Sequence, residues 1–66
     1  MKITVNGQRR DVPEGHTVEE LLVAMGYRPT AVAVWIGSRQ VWQREYELLQ
    51  LAPGDEVRVL KPIAGG

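Results

Sequence analysis

Few residues in this 66-residue chain could carry out chemistry: one histidine, two adjacent glutamates and a C-terminal glycine pair. His16 has no carboxylate or nucleophile placed by the sequence to work with it, so we interpret it as a surface or turn histidine. Glu19 and Glu20 point apart on a helix, and both complement its positive N-terminal dipole. The chain has no cysteine, which excludes thiol catalysis, so any sulfur chemistry must use sulfur from elsewhere.

The terminal pair, Gly65-Gly66, is a weak signal by itself, because chain ends are usually frayed and tolerant of change. Its meaning depends on the residues upstream. The sequence predicts no metal site, since Asp55 lacks further oxygen ligands nearby and is expected to shape a turn. We interpret Met25 as a core residue rather than a ligand.

Length and composition bound the function further. A domain of 66 residues buries only about 60% of the surface that its unfolded chain exposes, so a deep catalytic pocket would take scarce core volume. A carrier, adaptor or inhibitor is therefore favoured over an enzyme. Eight basic residues balance eight acidic ones, which argues against nucleic-acid binding. Because the longest apolar run is too short for a bilayer and the N-terminus lacks a signal-peptide pattern, we expect a cytoplasmic protein without membrane contact.

The first elements predicted are two antiparallel strands, residues 2–5 and 8–12. They flank Asn6-Gly7, a pair suited to a two-residue type I′ turn. This register places Ile3 opposite Arg10, a charged residue on the face that should be apolar. Either the stem of Arg10 lies over the edge of the core, or the strands pair in another register.

A helix is predicted over residues 18–25. Thr17 and Glu20 have the spacing of a capping box at its start, and Gly26 can adopt the left-handed conformation that ends it. Four side chains at helical spacing form one apolar stripe: Val18, Leu21, Leu22 and Met25. Such a stripe predicts a helix that lies across a sheet.

Further strands are predicted in the second half of the chain. Residues 31–36 form a continuous apolar run, expected of a strand covered on most sides, and residues 39–42 are interpreted as a short return strand. Residues 45–51 fit one helical turn or a loop equally well. Residues 56–60 alternate between charged and apolar side chains and predict a last strand, which Pro62 stops.

In this order the elements resemble the β-grasp fold of ubiquitin and its prokaryotic sulfur-carrier relatives. Five stretches look like the ThiS family in particular: Ile3-Thr4-Val5-Asn6-Gly7, Thr17-Val18-Glu19-Glu20-Leu21-Leu22, Ala31-Val32-Ala33-Val34, Pro53-Gly54-Asp55-Glu56-Val57 and Ile63-Ala64-Gly65-Gly66. The resemblance implies an α+β domain over residues 1–62, with one main helix packed across a mixed sheet of four to five strands. It also implies a flexible C-terminal tail over residues 63–66.

The same resemblance implies chemistry at the terminal carboxylate. A ThiF-like adenylating enzyme would use ATP to convert Gly66 to an acyl-adenylate, and a persulfide sulfur from a cysteine desulfurase or another donor would replace AMP. The resulting thiocarboxylate would pass sulfur to the substrate of a ThiG-like thiazole synthase in thiamine biosynthesis. Ile63, Ala64 and Gly65 would thread the partner's active site, because glycine has no Cβ and three extended residues reach roughly 10 Å. The protein would be a co-substrate without a permanently bound cofactor.

Other functions fit the same pattern. Carriers for molybdopterin synthesis or tRNA thiolation also resemble this chain, and a ubiquitin-like modifier would join the same tail to lysines of target proteins. A simple binding module would instead use Trp35 and Trp42, and its tail would be irrelevant. We interpret these two tryptophans as candidates for partner docking, with packing in the core as an equal alternative.

Overall fold

The computed structural model describes residues 1–62, so the predicted tail, residues 63–66, lies outside the described residues. The described chain forms one α-helix and five strands, which are β1 (Lys2–Val5), β2 (Gln8–Asp11), α1 (Val18–Ala24), β3 (Ala33–Ile36), β4 (Arg39–Val41) and β5 (Glu56–Leu60). Two short 3₁₀ helices, Pro29–Ala31 and Gln43–Glu45, flank the second hairpin. None of the helices within residues 1–62 has the length and apolar character needed to cross a membrane.

The five strands form one mixed sheet in the order β2-β1-β5-β3-β4. β1 and β5 are parallel, whereas the other neighbouring pairs are antiparallel. β5 is therefore last along the described chain but central in the sheet, where it joins the hairpin β1-β2 to the hairpin β3-β4. This arrangement confirms the predicted mixed sheet and sets its number of strands at five.

The first hairpin has the predicted register, with Ile3 opposite Arg10. Asn6 and Gly7 have φ angles of 52° and 82°, as a type I′ turn requires at both central positions. Arg10 is exposed and lines a shallow hollow with Met25 at the edge of the core. The unexpected charge on this face is thus explained by its place on an edge strand, and no other register is needed.

Helix α1 begins with the predicted capping box. The amide of Thr17 donates to Glu20 Oε1 at 2.9 Å, and the amide of Glu20 donates to Thr17 Oγ1 at 3.2 Å. The helix ends at Ala24, one residue earlier than predicted, because Met25 is its C-cap. Gly26 then has the left-handed φ angle expected after a helix, 83°.

One face of the sheet packs against α1 and forms the core. The strands contribute alternating side chains from this inner face, and the helix contributes its apolar stripe; the fully buried members are Ile3, Leu21, Leu22, Val18, Val34 and Val41. Burying one such aliphatic side chain stabilises a fold by about 1.5–3 kcal/mol. The core therefore depends on the helix and on strands from both hairpins.

Two predictions in the second half of the chain were wrong or incomplete. Strand β3 begins at Ala33, because Pro29 opens a 3₁₀ helix in which the amide of Ala31 donates to the carbonyl of Arg28 at 2.9 Å. All four residues of the strand are at least partly buried, and Val34 on the inner face is fully buried. The ambiguous segment, residues 45–51, starts at the last residue of the second 3₁₀ helix and continues as a loop, in which Leu51 is buried whereas Leu48 is 79% exposed.

Candidate functional site

The chain leaves the centre of the sheet at the end of β5. We call Leu60, Lys61 and Pro62 the exit site, because they are the last described residues before the predicted tail. All three are exposed, although Leu60 still pairs with Ala33 of β3. The predicted reactive residue, Gly66, and the predicted threading residues, Ile63, Ala64 and Gly65, lie outside the described residues. The structure therefore describes the part of the domain from which these four residues extend.

The two edges of β5 are held differently near the exit site. On the β3 edge, strand pairing continues to Leu60. On the β1 edge, pairing reaches Val57, and beyond it the side chain of Asn6 takes over. The amide of Val59 donates to Asn6 Oδ1 at 2.9 Å, and Asn6 Nδ2 donates to the carbonyl of Val59 at 3.2 Å.

Sequence reasoning missed this role of Asn6. The Asn6-Gly7 pair predicts a turn, and the turn is present, but a turn motif says nothing about the strand beside it. Only the parallel pairing of β1 with β5, which joins positions far apart in the sequence, brings Asn6 beside Val59. No local signal in the sequence could have indicated the contact.

The outer face of the sheet, which points away from α1, carries Leu60 of the exit site and the aromatic side chain of Trp35. Trp35 lies on this face, paired with Arg58 of β5 and with Gln40 of β4. It is half-buried, and Leu60 on the same face is 49% exposed. Trp35 therefore adds aromatic surface beside the exit site rather than filling the core.

The second tryptophan, Trp42, is 52% exposed and does not belong to the buried core. Its backbone is nevertheless fixed, because the amide of Trp42 donates to Glu45 Oε1 at 3.0 Å. The other oxygen of the same carboxylate accepts a hydrogen bond from Arg39 at 2.7 Å. The core alternative is thus wrong for Trp42, and docking by both tryptophans stays a prediction.

Positive charge lies beside the exit site. Lys61 and Arg28 line one surface hollow of about 220 Å³, next to the segment between α1 and β3. Both side chains belong to exposed residues. The exit site therefore includes one cation, Lys61, and is bordered by a second, Arg28, and by the half-buried ring of Trp35 on the outer face.

Two carboxylates with perturbed pKa values have structural partners. The hydrogen bond from Lys2, at 2.8 Å, lowers the pKa of Asp11 across the first hairpin. The hydrogen bond from the backbone amide of Thr17 lowers the pKa of Glu20, and the Thr17 hydroxyl adds to this effect. Both perturbations come from local contacts that stabilise a hairpin and a helix start, so neither marks a catalytic group.

The remaining titratable candidates are also engaged in the fold. Burial raises the pKa of Tyr46, whose hydroxyl donates to the carbonyl of Val32 at 3.0 Å. His16 lies in a turn, where its backbone amide donates to Pro13 and its carbonyl accepts from Leu51. Within residues 1–62, no three His, Asp or Glu side chains are grouped as a metal site would require. The described residues form a scaffold around the exit site.

A five-stranded mixed sheet with one helix across it and the last strand at its centre defines a β-grasp domain, as the sequence predicts. The crystal structure of the thiamine biosynthesis protein ThiS from Geobacter metallireducens has a TM-score of 0.85 to this chain, with 29% identity over 100% of both chains. The solution structure of a thiamine biosynthesis protein from Geobacter metallireducens gives 0.78 and 28% identity, covering 100% of this chain and 88% of the other. The sequence model of the ThiS family matches residues 3–66, and this chain belongs to that family.

A longer relative shows a second kind of similarity. The thiazole synthase of Magnetococcus marinus is 35% identical to this chain over 66 residues, which is 100% of this chain. The chain spans only 20% of the length of that relative. A domain like this one is therefore part of a much longer polypeptide in that organism.

Proposed function

We propose that this protein is a sulfur carrier in which the Gly66 carboxylate is adenylated, converted to a thiocarboxylate and used to donate sulfur for thiazole formation in thiamine biosynthesis. Membership of the ThiS family over residues 3–66 is the observation that carries this proposal, because the matched region includes the terminal Gly65-Gly66 pair. The domain over residues 1–62 would hold the arm, residues 63–66, at the exit site.

The chemistry explains why a carrier needs an enzyme partner. A carboxylate resists nucleophilic attack because of its charge and resonance, so an oxygen of Gly66 first attacks the α-phosphorus of ATP and displaces pyrophosphate. A persulfide sulfur then attacks the carbonyl carbon, and AMP leaves. Reduction of the sulfur–sulfur bond by a thiol frees the thiocarboxylate. The carrier is consumed and recharged in each cycle, so it acts as a co-substrate and not as an enzyme.

Three kinds of partner follow from this proposal: a ThiF-like adenylating enzyme that binds the ATP, a persulfide donor such as a cysteine desulfurase, and a ThiG-like thiazole synthase. The thiazole synthase of Magnetococcus marinus supports the third, because it includes a stretch similar to all of this chain. Joining a carrier to its acceptor enzyme raises the effective concentration of one for the other, which is useful only if the two act together.

We further propose that partners dock on the outer face beside the exit site, through Trp35 and Leu60, with Trp42 at the margin. Tryptophan is enriched among the residues that carry binding energy at interfaces, and the half-exposed Leu60 enlarges the apolar surface next to it. Val23 offers a matched control, because it is also an exposed aliphatic side chain, at 61%, but it belongs to α1 on the opposite side of the sheet.

The direct test is to charge the purified protein with ATP, its adenylating enzyme and a sulfur donor. Intact-mass measurement should show an increase equal to the difference between sulfur and oxygen, located at Gly66 by fragmentation. Deletion of Gly66 should abolish charging without changing the circular dichroism spectrum. No mass change with an adenylating enzyme of proven activity would contradict the proposal, and isopeptide-linked adducts on lysines would favour a protein modifier instead.

Docking is tested by two matched substitutions. Leu60→Ser should raise the KM of the adenylating enzyme for the carrier roughly tenfold, the size expected when an interface side chain contributing over 1 kcal/mol is lost. Val23→Ser should leave KM unchanged. If the two substitutions changed KM equally, the outer face would not be the docking surface.

A further inference from the structure

We infer that Asn6 is a positioning residue for the exit site: its carboxamide replaces the missing backbone neighbour of Val59 and thereby fixes the direction in which the chain leaves the sheet. The activity part of this inference rests on the proposed carrier function. Its structural part stands on the hydrogen bonds alone.

The β1 edge of β5 shows a regular series of contacts. The amide of Thr4 donates to the carbonyl of Asp55 at 2.9 Å, and the amide of Asn6 donates to the carbonyl of Val57 at 2.9 Å. Each step moves two residues along both strands, so the next groups on this edge belong to Val59. Strand β1 has already turned away at Asn6, and no further β1 residue can reach them.

The side chain of Asn6 occupies that next step. Its carboxamide has one carbonyl oxygen and one amide nitrogen, the same donor and acceptor that a peptide group offers. The oxygen accepts from the amide of Val59 at 2.9 Å and the nitrogen donates to its carbonyl at 3.2 Å. One side chain therefore extends the sheet by one step beyond the end of β1.

Asparagine suits this position for two reasons at once. Its φ angle of 52° lies in the left-handed region, where asparagine is tolerated better than most residues. Its side chain is also short enough to remain beside its own backbone. Aspartate would keep the backbone preference and the acceptor but lose the donor, and glycine would keep only the backbone conformation.

The exit site follows these bonds by one residue. If they are absent, the end of β5 is held in the sheet by its pairing with β3 only, so it can fray and the following chain samples more directions. A terminus that must enter a partner's active site reacts more slowly when its approach is less restricted, because orientation accounts for much of the rate of such steps. The chain direction at Val59 thus bears on charging at Gly66.

Amide hydrogen exchange measured by NMR tests the structural part. In Asn6→Gly, the Val59 amide should lose protection roughly tenfold, the equivalent of one lost hydrogen bond. In Asn6→Asp, the Val59 amide should stay protected because the acceptor remains. The Leu22 amide in α1 serves as the reference for global stability. Unchanged Val59 protection in Asn6→Gly, measured relative to Leu22, would overturn the inference.

Steady-state charging by the adenylating enzyme tests the functional part. Because the docking surface is untouched, Asn6→Gly should lower kcat about five- to tenfold while KM changes less than twofold. The kcat of Asn6→Asp should lie between those of the parent chain and Asn6→Gly. Gln8→Ala, an exposed neighbour in β2, is the control and should behave like the parent chain. If the Val59 amide lost protection but charging stayed normal, the functional part of the inference would be wrong and Asn6 would act only in the fold. A parent chain that is never charged would instead contradict the carrier function and leave the exchange result intact.

Discussion

The two ends of β5 are built in opposite ways. At its start, backbone groups from both sides hold the strand: the amide of Thr4 donates to Asp55 and the amide of Gly37 donates to Glu56 at 2.8 Å. The preceding turn is closed by Asp55, whose carboxylate accepts from the amide of Ala52 at 2.8 Å. At its end, β3 supplies strand pairing on one edge, and one asparagine side chain supplies the contacts on the other.

This difference shows how a small domain can present a terminus without losing its core. Val57 and Val59 are both buried, so the hydrophobic core continues along the strand while the backbone contacts decrease. Packing is non-directional, whereas hydrogen bonds fix direction. The start of β5 is therefore held by both kinds of interaction, and the end depends more heavily on packing and on a single side chain.

The largest expected effect comes from a matched pair of core truncations. Val57→Ala should lower the free energy of unfolding by about 2–3 kcal/mol, because it removes two buried methyl groups and leaves a cavity. Val59→Ala removes the same atoms from a site that can relax, so its cost should be smaller, about 1–2 kcal/mol. Urea denaturation at constant m-value measures both. Equal costs would mean that the two ends are equally rigid.

A smaller effect is expected at the start of the helix. Thr17→Ala removes the N-cap of α1 and should cost about 1 kcal/mol in the free energy of unfolding. Exchange of amides at both ends of β5 should accelerate by the same factor, because only global stability has changed. A selective change at Val59 would show instead that the helix start and the end of β5 are coupled.

Asp55→Ala tests the comparison at the start of β5 instead of at its end. Loss of the bond from the Ala52 amide should lower stability by about 0.5–1.5 kcal/mol, as for one hydrogen bond in an exposed turn. Hydrogen exchange should become faster at Ala52 and near the start of β5, so that the two ends become more alike. The comparison fails if exchange at the start of β5 is unaffected.

The smallest effect is a dependence on pH in the capping box. The amide of Thr17 holds the pKa of Glu20 below its ordinary value of 4.5, so the ionised form stabilises the folded state. This contribution is complete above the unfolded pKa and is lost as the pH falls through the lower, folded pKa. Thermal melts of the parent chain and Glu20→Gln should therefore differ at neutral pH and converge in acid. A difference that persists at low pH would assign the effect to a cause other than charge.

Local patterns predicted the parts of the fold that depend on neighbours in sequence. The Asn6-Gly7 turn, the capping box at Thr17 and the alternation in β5 each follow from a few adjacent residues, and all are present. The start of β3 was misplaced because an apolar run cannot distinguish a strand from the 3₁₀ helix that Pro29 opens. Residues 45–51 stayed ambiguous because the chain exposes Leu48, a residue type that usually marks a buried face.

The site was predictable to a smaller degree. The end of the last strand near Leu60 could be inferred from the alternation and from Pro62, and it is where the structure places the exit site. The contacts around it could not be inferred, because Trp35 becomes an outer-face residue only through its pairing with Arg58. Tertiary register, and not composition, decides which surface surrounds the departing chain.

The central place of the last strand has a consequence for the order of folding. Without β5, the sheet order leaves β2-β1 and β3-β4 as two separate hairpins, and an isolated two-stranded hairpin is at best marginally stable in water. The step that joins them pairs Thr4 with Glu56, a contact between nearly opposite ends of the chain, and such non-local steps are slow. A completed sheet therefore always contains β5, the strand that leads to the terminal glycines. A partner that recognises the sheet thus binds only chains in which β5 has been synthesised and has folded into place.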